Sequence, residues 1–143
     1  MSSPIGGGAA TLAREQIMNV DSLDHLVLTV RSISRTVSFY QRVLGMEPRA
    51  FGEGRMALHF GRQKLNLHEA GHVIDPHVRH AAPGSADLCF LTRMPLREVV
   101  RHLITCGVSV IEGPGTRAGA VGPLRSVYFY DPDENLIEVT NQT

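Results

Sequence analysis

Asp24-His25-Leu26-Val27-Leu28-Thr29-Val30 reads as a strand by its Val, Leu and Thr content, and Asp87-Leu88-Cys89-Phe90-Leu91-Thr92 reads as its second copy, with Asp87 in the place of His25. A helix follows each. Ser32 is placed to cap the first, whose Val37, Tyr40, Val43 and Leu44 recur at helical spacing before Gly45 ends it. The second follows Pro95, carries Leu96, Val99, Val100, Leu103 and Cys106, and ends at Gly107. His25 to Asp87 and Gly45 to Gly107 are the same shift of 62 residues, so strand and helix align without a gap. Further strands are predicted around Met56–Phe60 and Lys64–Glu69 in the first half. In the second half they are predicted around Ser109–Glu112, Ser126–Tyr130 and Leu136–Asn141, with Asp131-Pro132-Asp133-Glu134-Asn135 as the last turn. Lys64-Leu65-Asn66-Leu67 aligns with Leu136-Ile137-Glu138-Val139, a shift of 72, so the second copy is longer by about ten residues. These fall in the Gly-rich stretch Gly113–Arg125, read as a mobile loop able to close over a site.

The remaining chain follows from this repeat. Residues 1–21 read as a flexible N-terminal tail, 22–70 as the first module, 71–85 (with Gly71, Pro76, Pro83 and Gly84) as a linker, and 86–143 as the second module. Hydrophobic residues are 43% and charged residues 20% of the 143, enough to expect a folded core. Lys plus Arg balance Asp plus Glu at 14 each, which argues against a nucleic-acid binder, as does the lack of a basic helix or aromatic platform. No apolar run approaches the ~18 residues that span a membrane, and the first twenty residues lack the apolar core of a secretory signal, so a cytoplasmic location is expected. Cys89 and Cys106 lie in apolar segments with no CxxC pair, and buried reduced thiols are expected.

Three stretches in order, Asp24-His25-Leu26, Ser38-Phe39-Tyr40-Gln41-Arg42-Val43-Leu44-Gly45-Met46 and Asp131-Pro132-Asp133-Glu134-Asn135-Leu136-Ile137-Glu138, resemble the vicinal oxygen chelate superfamily. That superfamily includes glyoxalase I, fosfomycin-resistance thiol transferases, extradiol dioxygenases, methylmalonyl-CoA epimerase and bleomycin-binding proteins. The text Gln63–Glu69 and Pro83–Leu88 is most similar to the subgroup of glyoxalase domain-containing protein 5 and its bacterial relatives. The resemblance covers residues 22–141 and implies an α+β fold of two tandem βαβββ modules, each curling its sheet into half of a metal-binding cup. Glu134 departs from the family pattern, which often has Gly at that turn position.

The resemblance places metal ligands on the first and last strand of each module, which here are His25, Asn66, Asp87 and Glu138. The internal repeat pairs the same positions. Strand alternation puts His25, Val27 and Thr29 on one face, and Asp87, Cys89 and Leu91 on another. Glu138 is a charge between Ile137 and Val139, costly to bury unless it is paired or ligates a cation. One divalent ion held by His25, Asp87 and Glu138 is therefore expected, with Asn66 as a substrate contact. The set suits Mn, Ni, Fe, Mg or Zn. It differs from the two-His-one-carboxylate triad of iron oxygenases.

Glu138, with His68 in reserve, is the candidate proton acceptor. Arg117 and Arg125 are the candidate clamp for an anionic substrate. What the resemblance implies is a metal-dependent lyase or isomerase similar to glyoxalase I, acting on a small oxygenated substrate. The alternatives are a thiol transferase, an extradiol-type dioxygenase or a non-catalytic small-molecule binder. An exposed cup or sheet edge further predicts a homodimer.

Overall fold

The computed structural model describes residues 17–142, so most of the segment read as a tail lies outside the described residues. The chain runs β1 (His25–Val30), α1 (Ile33–Leu44), β2 (Glu47–Phe51), β3 (Arg55–Phe60), β4 (Gln63–Glu69), β5 (Asp87–Leu91), α2 (Leu96–Thr105), β6 (Glu112–Ala118), β7 (Pro123–Tyr130) and β8 (Leu136–Gln142). It forms two four-stranded sheets of identical topology, β1-β4-β3-β2 and β5-β8-β7-β6. In each, the first strand lies parallel to the last, which a crossover through a helix requires. The pairing also follows the internal alignment: His25 faces Lys64 and Val27 faces Asn66, while Asp87 faces Leu136 and Cys89 faces Glu138.

The helix ends are local chemistry. The Ser32 side chain accepts from the Arg35 N–H at 3.2 Å, and Gly45 takes φ +66° to send its own N–H back to the Gln41 carbonyl. Leu28, Val30, Tyr40, Val43, Leu58 and Leu65 from the first module pack with Leu103, Val127, Phe129, Ile137 and Val139 from the second in one shared core. Phe60 meets Phe90 edge-on at 5.3 Å, and Phe39 meets Phe129 at 6.4 Å. The two modules thus share the helix-bearing side of their sheets, and the opposite faces turn outward.

A polar knot crosses this core. The Asp131 carboxylate, 5% exposed, accepts from the Tyr40 hydroxyl at 2.6 Å, from the backbone N–H groups of Asp133 and Asn135, and from the Asn135 amide. Asp133 in turn accepts from the Arg31 backbone and guanidinium, and the Asn135 side-chain oxygen accepts from the Ala86 N–H. The turn Asp131–Asn135 is therefore the bolt between modules. Glu134 holds φ +66° within it, the left-handed conformation that explains why a glycine suits this position.

Three expectations are corrected. The stretch Gly113–Arg125 is not an open loop: it holds most of β6, a turn closed by the Gly119 N–H on the Gly122 carbonyl, and the start of β7. Two of its glycines, Gly113 and Gly119, serve close approach. Gly113 sits at φ +96° where a β-bulge begins, and a Cβ there would lie 2.4 Å from the Ser126 carbonyl oxygen. Gly113→Ala is expected to cost about 2 kcal/mol or more in chemical denaturation, through both the clash and the conformation. Second, Glu47–Phe51 forms an edge strand, where Pro48 is tolerated. Third, Cys89 is exposed and Cys106 half-buried, because alternation puts Cys89 on the outward face with Asp87. Among the described residues no helix is long and apolar enough to cross a membrane.

Candidate metal and substrate faces

The outward face of the first sheet is built by alternation from His25, Val27 and Thr29 on β1, Lys64, Asn66 and His68 on β4, Arg55, Ala57 and His59 on β3, and Glu47, Arg49 and Phe51 on β2, with Glu47 and Arg49 paired to each other. His25 is bonded through Nδ1 to an Asp24 carboxylate oxygen at 2.8 Å, a contact that holds the Asp24 carboxyl below its usual range and leaves Nε2 outward. A carboxylate behind a histidine is a common way to orient a metal-binding imidazole. Asn66 is 4% exposed, and its Oδ1 has no hydrogen-bond donor. His68 is 5% exposed, and burial, reinforced by the Arg55 charge, pushes its imidazole toward the neutral form.

The second sheet presents Asp87, Cys89 and Leu91 on β5, Glu138 on β8, and Ser126 and Tyr128 on β7. The Ser126 hydroxyl donates to Glu138 Oε2 at 2.5 Å, and the Cys89 thiol and Tyr128 hydroxyl also reach this carboxylate. Tyr128 faces Glu138 across the ladder. Cys89 lies between Asp87 and Glu138, and burial together with the Glu138 charge pushes its thiol up to about 11.

Asp87 and Glu138 thus share one face, while His25, Asn66 and His68 share another. Among the described residues, no three His, Cys, Asp or Glu side chains converge within one chain. A cleft of about 580 Å³ lies on the helical side, against Arg35, Phe39 and Arg42, away from every one of these groups. The donor set fits a divalent ion: two hard carboxylates, an imidazole with its orienting partner, and an unmet amide oxygen.

The two arginines read as a clamp do not converge. Arg117 is ion-paired with Glu112, and its Nε donates to the Tyr128 hydroxyl at 3.2 Å. Arg125 pairs with Thr116 and Asn141, so it alternates away from Ser126 and Tyr128. Reasoning from the sequence missed Phe51, Arg55, Ser126 and Tyr128. Lys64 and Cys89 were within its reach, since each stands two residues from a named ligand position on the same strand face.

The family model of the Glyoxalase/Bleomycin resistance protein/Dioxygenase superfamily matches residues 22–139. The chain is 48% identical over 123 residues to virulence protein STM3117 of Salmonella typhimurium, which covers 86% of this chain and 85% of that protein. It is 46% identical over 128 residues to glyoxalase domain-containing protein RDO1 of Mycosarcoma maydis, covering 90% of this chain and 72% of that protein. The solved structure of integron cassette protein VCH_CASS1, from the mobile metagenome of V. cholerae, superposes with a TM-score of 0.87 at 49% identity, covering 89% and 99% of the two chains. These likenesses do not bear on the narrower resemblance to glyoxalase domain-containing protein 5.

Proposed function

The chain belongs to the Glyoxalase/Bleomycin resistance protein/Dioxygenase superfamily, and on that premise we propose a metal-dependent lyase or isomerase of small oxygenated substrates, whose site is closed by a second copy of the chain. The observation that carries this reading is that the donor set is split between the two sheets and forms no group of three ligating side chains among the described residues. His25 and Asn66 stand on one sheet, Asp87 and Glu138 on the other.

A two-fold dimer would set the first face of each copy against the second face of its partner and so form two equal sites. Two features support that arrangement. β1 and β5, which carry His25 and Asp87, are both edge strands with one side unpaired. Val27 and Leu91 stand on the outward faces 42% and 63% exposed.

When bound, a divalent ion supplies a Lewis acid for adjacent oxygens of the substrate. The residues of the chain do the rest. Ser126 holds one Glu138 oxygen and so restrains the carboxylate on the face it shares with Asp87. His68, kept neutral by burial, offers an unprotonated ring nitrogen as the second proton acceptor. Asn66 offers its unmet oxygen to a substrate hydroxyl.

Pure protein is expected to titrate with one divalent ion per chain and to run as a dimer in light scattering. Metal-stripped protein is expected to lose turnover in a screen of thiol hemithioacetals, phosphonates and catechols, and to regain it with Mn, Ni, Fe, Mg or Zn. A 15.6 kDa species at all micromolar concentrations, or no saturable metal binding, would sink the proposal. Ligand binding without turnover would favour the non-catalytic binder.

A further inference from the structure

Arg55 has no counter-charge, and Lys64 has only the exposed Asp24 carboxylate within electrostatic reach. Neither has a hydrogen-bond or ion-pair partner among the described residues, yet both are only partly exposed. Both lie over Phe51: the Arg55 guanidinium carbon is 4.5 Å from the ring centroid, and the Lys64 ammonium 4.0 Å. The ring holds the two heads in one place and neutralises neither. The Arg55 Nε is buried and has no acceptor. On the adjacent strand Asn66, which faces Ala57 two residues along from Arg55, has a buried oxygen with no donor. A buried donor and a buried acceptor, both unmet and close in register, are unusual enough in a folded protein to call for an occupant.

We propose that Arg55 and Lys64 receive the anionic group of the substrate, with Phe51 as the platform that positions both cations. The substrate class is then a small molecule carrying a carboxylate or phosphonate beside the oxygens that meet the ion. This rests on the reading that the face joins the carboxylate-bearing face of a second copy. Three observations favour it over the other cations. Arg117 is spent on Glu112, and Arg125 is on the far side of its sheet. Asp87 and Glu138 give the opposite wall a negative sign, so an anionic group is driven to the wall that holds Arg55 and Lys64. A guanidinium offering Nε–H and a terminal N–H together matches the two oxygens of a carboxylate or phosphonate.

The test uses the full chain loaded with Zn²⁺. Methylphosphonate and acetate are titrated separately, with acetamide as the uncharged control, and the ¹⁵N–¹H resonance of Arg55 Nε is followed by NMR. Its signal is expected to shift with an anion and to stay fixed with acetamide; the anion that saturates it at the lower concentration identifies the group. Arg55→Gln and Lys64→Met are each expected to weaken anion binding at least tenfold, with zinc stoichiometry and dimer mass unchanged. Anion affinity equal to wild type in both variants would overturn the proposal. So would dissociation of the variants to single chains with anion affinity retained, because the cations would then be interface ion pairs. Zinc stoichiometry and mass of the wild type, measured before any anion is added, test the metal-site reading separately. The Arg55 resonance stands or falls without them.

Discussion

Equimolar His25→Ala and Glu138→Ala chains, unfolded together and refolded, are expected to regain roughly a quarter of the wild-type ion sites, although each variant alone binds at least roughly a hundredfold more weakly. Random pairing makes half of the dimers mixed. In a mixed dimer one cup combines both lesions, while the other combines an intact His25 from one copy with an intact Asp87 and Glu138 from its partner. The gain needs no new contact and follows from the proposed pairing of faces, because His25 and Glu138 stand on different sheets and join no group of three ligating side chains among the described residues. Metal content after separation from free ion measures it. A mixture that stays as empty as its parents would show that both halves of the site come from one chain, and would sink the dimer reading.

Asp131→Ala is expected to cost about 3–5 kcal/mol in chemical denaturation, more than any substitution on the outward faces. The loss leaves the buried Tyr40 hydroxyl, two backbone N–H groups and the Asn135 amide without an acceptor. Tyr40→Phe removes one of those donors and leaves Asp131 three others, so about 1–3 kcal/mol is expected there. The two effects share an interaction, so a Tyr40→Phe, Asp131→Ala double variant should lose less than the sum of the single ones. Simple additivity would mean that the bond between the modules contributes nothing.

The two-module plan was legible because repetition is a signal that composition does not blur. One shift of 62 and one of 72 predicted which residues of the two modules are equivalent, and the β1–β4 and β5–β8 ladders pair in equivalent register. The hairpin of β6 and β7 was not legible. Four glycines between Gly113 and Arg125 read as a loop, whereas at Gly113 the requirement is room for the Ser126 carbonyl. β2 was hidden by Pro48 and by a run with no alternation, both tolerable at a sheet edge.

The candidate site was legible as residues and not as an assembly. Periodicity assigns His25 and Asp87 each to a strand face, but which face meets which depends on the side of the sheet that the helices cover. That is decided by the shared core and the Asp131 knot, whose turn reads in sequence only as a turn. The cations over Phe51 escaped notice for a related reason: Phe51 lies on the strand that was missed, and without it Arg55 and Lys64 are two ordinary surface charges.

The placement of the tyrosines has an optical consequence. The chain contains no tryptophan and only three tyrosines, so its near-ultraviolet emission comes from Tyr40, Tyr128 and Tyr130. Tyr40 is locked to Asp131 in the knot between modules, and Tyr128 faces Glu138 beside the carboxylates that would hold an ion. One phenol therefore reports whether the two halves of the chain are joined, and another reports the state of the outward face. Intrinsic fluorescence can follow unfolding and ligand entry in a single unlabelled sample, with Tyr40→Phe and Tyr128→Phe to separate the two signals.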